Sequence, residues 1–141
     1  MPRLLLSLVL CGLLAGCGET TAPVYHVTGT VTFNDQPITT GSVVFVPKGG
    51  GPTAQGTIGA DGKYSLTTFV DGDGAVPGTH TVMVSAVKDN GPEAPVTAII
   101  PDKFASEQSG LTGEVKEQEE NVIDLALKGK APASRPASPM P

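Results

Sequence analysis

Cysteine is scarce in this 141-residue chain and is confined to its start. Cys11 and Cys17 are the two cysteines of the sequence, so the chain beyond residue 17 has no thiol. That part can form neither a disulfide framework nor a cysteine-ligated metal site. A domain built from it must be stabilised by its apolar core without covalent cross-links.

Tryptophan is missing, and basic residues are outnumbered. Aromatic residues make up 4% of the sequence, which argues against a sugar-binding platform of stacked rings. Nine basic and 14 acidic side chains give a formal net charge of −5. This balance argues against nucleic acid as a partner, because phosphates require patches of Lys and Arg. It also argues against electrostatic attachment to anionic lipid.

The longest apolar run is too short for a permanent membrane span. Residues 4–14 are mostly Leu and Val, whereas a spanning helix needs roughly 20 apolar residues. With Arg3 before it, the run has the charge and length of a signal-peptide core. It ends in Leu14-Ala15-Gly16-Cys17, which resembles a bacterial lipobox. We therefore predict that residues 1–16 are a lipoprotein signal peptide and that Cys17 is the lipidated first residue of the mature chain.

The lipobox implies a membrane anchor and an address. Such lipoproteins carry a diacylglyceryl group and an N-linked acyl chain, typically palmitate, on the cysteine. One acyl chain anchors a protein only marginally, whereas several hold it firmly. Residues 17–23 are then the lipidated cysteine and a tether, and the protein lies in the cell envelope, on the periplasmic or outer face of a membrane. The alternative is an ordinary secretory peptide with an incidental cysteine.

Glycine and proline divide the rest of the chain into short strands. Apolar and polar side chains alternate over residues 25–33, which predicts a strand with one buried face. Asp61-Gly62 predicts a hairpin turn. Further strands are predicted at 42–46, 53–58, 64–68, 79–87 and 121–127, with a less regular excursion over 88–113 that includes one short strand at 96–100. About seven short strands without helical periodicity predict a β-sandwich over residues 24–128. The Pro-, Ala- and Ser-rich residues 129–141 are predicted to be a disordered tail.

Four segments carry a family resemblance in a fixed order. They are Val27-Thr28-Gly29-Thr30-Val31, Gly41-Ser42-Val43-Val44-Phe45, Asp61-Gly62-Lys63-Tyr64-Ser65-Leu66 and Val76-Pro77-Gly78-Thr79-His80-Thr81-Val82. Together they resemble the carboxypeptidase-regulatory-like, transthyretin-related domain of small bacterial lipoproteins, notably those of planctomycetes. The resemblance spans about residues 24–128 and implies a seven-stranded Greek-key β-sandwich. This family has no established common activity, so the resemblance implies architecture and location rather than chemistry.

Few residues are candidates for a chemical site. Asp71 and Asp73, in a glycine-rich loop, are candidate calcium ligands, but calcium takes six to eight oxygens and no EF-hand pattern is present. We therefore favour a plain turn there. His26 is expected on the exposed side of its strand and His80 at the edge of the core. Neither has a Cys or carboxylate at metal-ligand spacing, and we predict no catalytic residue, metal or cofactor.

The residues that two activities of related β-sandwich proteins require are missing from this chain. Hydroxyisourate hydrolases of transthyretin type carry a C-terminal Tyr-Arg-Gly-Ser, where this chain has Leu125-Ala126-Leu127-Lys128. Adhesin sandwiches with an isopeptide cross-link need a lysine on an early core strand, and here Lys48 and Lys63 lie near turns. Neither hydrolysis of that type nor cross-linking is expected.

The sequence therefore predicts a non-enzymatic, membrane-anchored binding or structural module. An envelope protein or a glycan is the expected partner, and the loops at 47–53, 70–78 and 88–113 are the expected contact surfaces. The alternative is a small-ligand carrier or hydrolase with a pocket at a sandwich edge or dimer interface, and a clustering of His80 with Asp71 or Asp73 in a pocket would favour it. Within the excursion, the apolar segment 99–104 is expected to fold back over the open end of the sandwich, and the alternative is that it forms a partner surface.

Overall fold

A computed structural model describes residues 21–132 of the chain. Cys17, the predicted signal peptide at 1–16 and residues 133–141 of the predicted tail lie outside the described residues. Within the described range the chain is all-β, with one short 3-10 helix, η1 (Asp102–Ala105). No helix in this range is long and apolar enough to cross a membrane.

Eleven strands follow one another along the described chain. They are β1 (His26–Phe33), β2 (Gln36–Pro37), β3 (Ser42–Pro47), β4 (Ala54–Thr57), β5 (Lys63–Ser65), β6 (Gly78–Ser85), β7 (Val87–Lys88), β8 (Thr97–Ala98), β9 (Leu111–Val115), β10 (Glu120–Val122) and β11 (Leu125–Leu127). The longest two, β1 and β6, each have eight residues and lie at the centres of the two main sheets.

The first sheet is organised around β1. On one side of β1, β10 and β11 run parallel to it in succession, and on the other side β5 and β2 run antiparallel to it. The second sheet has the order β4-β3-β6-β9 and is antiparallel throughout. A separate two-stranded sheet joins β7 and β8. The described chain is thus a β-sandwich-like, all-β arrangement.

Both main sheets contribute buried side chains to one core. The first sheet and its extensions supply Val27, Val31, Tyr64, Leu66, Leu125 and Leu127, and the second supplies Val43, Phe45, Ala54, Val82, Val84 and Val115. These positions alternate along each strand with exposed or half-buried ones, as expected for sheets with one covered face. The rings of Phe45 and Tyr64, from different sheets, have centroids 6.2 Å apart.

The sandwich has two distinct ends. At the near end Tyr25 forms a backbone bridge with Ala75, and the turns at 48–53 and 116–119 lie beside the start of β6 and the start of β10. At the far end the last residues of β1 pair with β11, and η1 packs against the last part of β6. The chain therefore enters the sandwich at the near end and leaves it, after Leu127, at the far end.

Most of the predicted strands form where the alternation placed them. β1, β3, β4 and β6 match their predicted segments within about two residues at each end. Ile100 and Phe104 are buried in the core, at 3% and 4% exposure, so the prediction that segment 99–104 folds back is confirmed.

Three details of the predicted strands are wrong. The turn at Asp61-Gly62 forms, with Gly62 at a φ of 79°, but β5 pairs with β1 across the sandwich rather than with β4. Only a single bridge, Gln55 to Thr67, links the two sides of this turn. β9 was expected to be part of the irregular excursion. The strand predicted over 121–127 is interrupted at residues 123–124.

Candidate functional site

Specific hydrogen bonds hold the interruption between β10 and β11 in place. The Ile123 amide donates to the Thr28 carbonyl at 2.8 Å, which keeps the last strand attached to β1. The next amide of β1 on this side, that of Thr30, donates to the Asp124 carboxylate at 2.9 Å instead of to a backbone carbonyl. The Asp124 side chain therefore replaces one backbone hydrogen bond between β1 and the last strand and holds its carboxylate beside Thr30.

The Ile123 carbonyl does not pair with a β1 amide and instead turns inward over Gly29. The Tyr64 hydroxyl donates a hydrogen bond to it, so this inward-turned oxygen has a partner. A Cβ on Gly29 would overlap the Ile123 carbonyl and come within 2.9 Å of the Tyr64 ring, so only glycine fits here. Burial, with the nearby Asp124 carboxylate adding to it, raises the pKa of Tyr64 and keeps its hydroxyl protonated as the donor.

A cleft of about 630 Å³ lies over this interruption, and we call it the β5 cleft. Its lining is Thr28, Gly29, Thr30, Thr57, Gly59, Lys63, Tyr64, Ser65, Val122 and Asp124. The outward-facing residues of β1, β5 and β10 form its floor, and the connection between β4 and β5 contributes Gly59. Its volume is in the range of small-molecule sites, roughly 300–1,000 Å³.

A second cleft of about 510 Å³ continues from the first, and the two share Thr57 and Ser65. It is lined by Ser42, Gln55, Gly56, Thr57, Ser65, Thr67 and Asp71. Ile58 donates to Gly41 and Leu66 to Val27. In antiparallel pairs this pattern directs the amide and carbonyl groups of Thr57 and Ser65 away from β3 and β1. The backbone therefore adds polar groups to hydroxyls, two carboxylates and one lysine along the joined clefts.

His80 does not belong to these clefts. It is fully buried in β6, with its ring centroid 5.7 Å from that of Phe45 and its Nδ1 3.0 Å from the Gly78 carbonyl oxygen. Its Nε2 has no hydrogen-bond partner among residues 21–132. Burial lowers the pKa of His80 against a smaller opposing effect of the Gly78 carbonyl, so the ring is neutral at pH 7. His80 thus lies deeper than the core edge expected from sequence.

The two aspartates of the 70–78 loop lie apart from His80. The Asp73 carboxylate accepts hydrogen bonds from the amides of Thr68, Phe69 and Val70 at 2.7 to 2.9 Å, which closes the loop on itself. Desolvation raises the pKa of Asp73, but these amide hydrogen bonds outweigh it, and the pKa is lowered. Asp71 accepts from the Thr67 hydroxyl at 3.4 Å and lines the second cleft. No hydrogen bond joins His80 to either aspartate in the described chain.

The remaining candidate residues are distributed over the surface. His26 is exposed, as expected. Lys48 and Lys63 are also exposed, and Lys63 lines the β5 cleft. Within residues 21–132, no group of three or more His, Cys, Asp or Glu side chains is arranged to hold a metal ion. The geometry therefore favours hydrogen bonding in the joined clefts over any single chemical centre.

The three loops predicted as contact surfaces differ in structure and position. Residues 48–53 form an exposed turn at the near end, where a Cβ on any of its three glycines would meet nothing within 4 Å. Residues 70–78 lead from the Asp73 turn to the near end, where Ala75 pairs with Tyr25. Residues 88–113 hold the β7–β8 hairpin and η1 at the far end and the start of β9.

Comparison with known proteins identifies no relative. No protein-family model, curated protein or solved structure matches the chain. Of the cleft residues, the sequence singled out only Asp71 and Lys63, and for other roles, although the alternation in β1 does place Thr28 and Thr30 together on the exposed face. No local pattern indicates that the chain crosses from β4 to β5 in the other sheet and so forms the wall of the cleft.

Proposed function

We propose that this protein is a lipid-anchored lipoprotein of the cell envelope whose β-sandwich is a non-enzymatic binding module. The lipobox at Leu14-Ala15-Gly16-Cys17 supports the anchor. The two facing sheets support the proposed seven-stranded Greek-key, transthyretin-related architecture. Its strands would be β1, β3, β4, β5, β6, β9 and the interrupted β10–β11, with β2 and the β7–β8 hairpin as additions.

The observation that carries the binding function is the β5 cleft. The cleft contains hydroxyls from four strand residues, the Lys63 ammonium and the Asp124 carboxylate, beside the exposed apolar side chain of Val122. Asp124 is held by the Thr30 amide, so one wall is ordered before any ligand arrives. Preorganised polar groups of both charges with a small apolar surface suit reversible hydrogen-bonded binding of a glycan, a small polar molecule or a polar protein segment.

A small-ligand carrier is the second candidate, because the volume of the β5 cleft suits a small molecule. A hydrolase is less well supported. Nucleophilic hydrolysis at a histidine-dependent site requires an imidazole that reaches the substrate. His80 is buried beside Phe45, and His26 lies at the near end of β1 and is not among the residues that line the clefts.

The anchor is tested on the protein isolated from its native membrane. We expect an N-terminal peptide that begins at Cys17 and carries the mass of a diacylglyceryl group and an acyl chain. The Cys17→Ala variant should lack this mass and incorporate no labelled palmitate. A mature N-terminus elsewhere, or an unmodified Cys17 in the wild type, would contradict the proposal.

Binding is tested with a photo-reactive amino acid at two matched valines. Val122 lines the β5 cleft and is 69% exposed, whereas Val70 is 68% exposed and lines neither cleft. In native envelopes we expect adducts from position 122 and few or none from position 70, with mass spectrometry of the adduct distinguishing a protein, a glycan and a small molecule. Equal labelling at both positions, or none at 122, would count against binding in the cleft.

A further inference from the structure

The chain enters the sandwich at a position fixed by backbone contacts. Tyr25 forms the first backbone pair of the fold and exchanges hydrogen bonds of 2.9 and 3.0 Å with Ala75. Gly74 lies so close to the Tyr25 carbonyl that a Cβ there would overlap it. The segment at 74–75 therefore holds the entering chain at the near end of the sandwich, and an anchor at Cys17 would act on the domain through this point.

The connection from Cys17 to this point is short in comparison with the domain. Seven residues lie between Cys17 and Tyr25, and the eight Cα-to-Cα steps that join the two span at most about 29 Å when fully extended. A flexible chain of eight residues has a mean span of about 16 Å. The eight residues of β1 are about 26 Å long at about 3.3 Å per residue. An inverted domain would need a tether stretched nearly to its limit, which costs conformational entropy.

The charge of the near end opposes close adhesion to an anionic bilayer. Four exposed glutamates lie on β9 and in the turn and strand that follow it, at positions 114, 117, 119 and 120, against the exposed Lys48 and Lys116. A surface with excess negative charge is repelled by anionic headgroups. The near end is thus kept close to the membrane by the tether and is not drawn flat onto it by charge.

We propose that the sandwich stands on the membrane by its near end, an orientation that rests on the proposed lipid anchor at Cys17. The 48–53 turn and the 74–78 segment then face the bilayer and are hidden from partners in the envelope space. The β5 cleft, floored by Thr28 and Thr30 in the middle of β1, opens to the side. The β7–β8 hairpin, with Val87 and Val96 at 42% and 61% exposure, points away from the membrane.

Energy transfer from the domain to the bilayer tests the orientation. Because the described chain has no cysteine, single variants Lys48→Cys, Val122→Cys and Val96→Cys can each be labelled with one donor fluorophore. The acylated protein is then placed in vesicles of phosphatidylethanolamine and phosphatidylglycerol that contain a headgroup-linked acceptor. We expect transfer to be strongest from position 48, weaker from 122 and weakest from 96, with at least a twofold difference between 48 and 96.

Two further measurements, with a lengthened tether and on the mass of the N-terminal peptide, distinguish a failure of the orientation from a failure of the lipid anchor. Insertion of about 20 Gly and Ser residues after Pro23 should bring the transfer from positions 48 and 96 close together, since the domain can then rotate freely. Equal transfer with the natural tether, or the reverse order, would overturn the orientation. An unacylated Cys17 would overturn the anchor itself, and with it the proposed function on which the orientation depends.

Discussion

Two aromatic rings meet in the core, and each lies over a glycine of its own sheet. In the first sheet Tyr64 covers Gly29, and in the second Phe45 covers Gly113, where a Cβ would be 2.7 Å from the ring. The space over Gly29 also contains a backbone group, because the Ile123 carbonyl turns in over Gly29 and accepts a hydrogen bond from the Tyr64 hydroxyl. The space over Gly113 contains only the Phe45 ring, which lies beside His80, whose Nε2 has no hydrogen-bond partner within residues 21–132. Because glycine has no side chain, Gly29 leaves space for the strand interruption in the first sheet, and Gly113 leaves space for an aromatic ring in the second.

The largest effect is expected from Gly29→Ala. The new methyl group would overlap the Ile123 carbonyl, a backbone atom that cannot move without disturbing Tyr64 and β1. We expect a loss of about 3 kcal/mol in the free energy of unfolding, measured by urea denaturation. Gly49→Ala is the matched control, because a Cβ there meets nothing within 4 Å, and it should change stability by less than about 0.5 kcal/mol. Similar losses in both variants would refute this role for Gly29.

Tyr64→Phe should have the next largest effect. The ring remains, but the inward-turned Ile123 carbonyl loses its hydroxyl donor. Leaving a buried acceptor unsatisfied costs about 2 kcal/mol. Tyr25→Phe serves as the control, since the Tyr25 hydroxyl makes no hydrogen bond within residues 21–132, and it should unfold at nearly the wild-type urea concentration. An equal shift in both variants would mean that the Ile123 contact contributes little.

Gly113→Ala tests the second sheet directly. The added methyl group meets the edge of the Phe45 ring at 2.7 Å and no backbone, so the ring can move aside. We expect a loss of about 1 kcal/mol in the same urea titration, clearly less than for Gly29→Ala. A loss as large as that of the Gly29 variant would show that both glycines are equally restricted and would remove the distinction between the sheets.

The smallest effect on the free energy of unfolding near neutral pH is expected from the replacement of His80. Its pKa is lowered from 6.5 in the folded state by burial, with the Gly78 carbonyl acting weakly in the other direction. Well above pH 6.5 the ring is neutral in both the folded and the unfolded state. Below it the unfolded chain binds the proton first, so stability falls as the pH drops toward the folded-state pKa. The wild type should lose more stability between pH 7.5 and 5 than His80→Leu.

Two comparisons make this pH experiment specific. His26→Gln alters an exposed ring and should keep the pH dependence of the wild type. The lowered pKa of Asp73 affects stability only as the pH falls below its ordinary value of 3.8, outside the measured window. If His80→Leu and the wild type lose stability in parallel from pH 7.5 to 5, then protonation of His80 does not oppose folding.

The sequence predicts most of this fold where alternation is unbroken. Val27, Val31, Val82 and Val84 occupy the inner positions that their spacing indicated. The same reasoning placed His80 only at the edge of the core, whereas it is fully buried. β9 was missed because one of its two buried positions is Gly113, which contributes nothing to an apolar pattern and leaves Val115 isolated. Gly29 in β1 holds an equivalent inner position, so an alternation that includes glycine would have revealed β9.

The candidate site is less predictable because its contacts are remote along the chain. Tyr64 and Ile123 are separated by 59 residues and Thr30 and Asp124 by 94. Nothing local to Asp124 indicates that its carboxylate replaces a backbone acceptor. Likewise, the turn at Asp61-Gly62 is the same whether the strand that follows pairs with its predecessor or crosses to the other sheet. The crossing is shown by the backbone pairing of β5 with β1, including the hydrogen bond from the Leu66 amide to the Val27 carbonyl.

The parallel pairing of β1 with β10 and β11 has a mechanical consequence. A pull on the two termini would draw the start of β1 and the end of β11 in opposite directions along the strand axes. The backbone hydrogen bonds on both sides of the interruption then carry the load together in shear, instead of opening one after another as in unzipping. We expect the domain to resist a force between residues 23 and 129 more strongly than one applied across β9 and β6, which single-molecule stretching would measure. A membrane-tethered protein that is held at its C-terminal end would be loaded in its stronger direction.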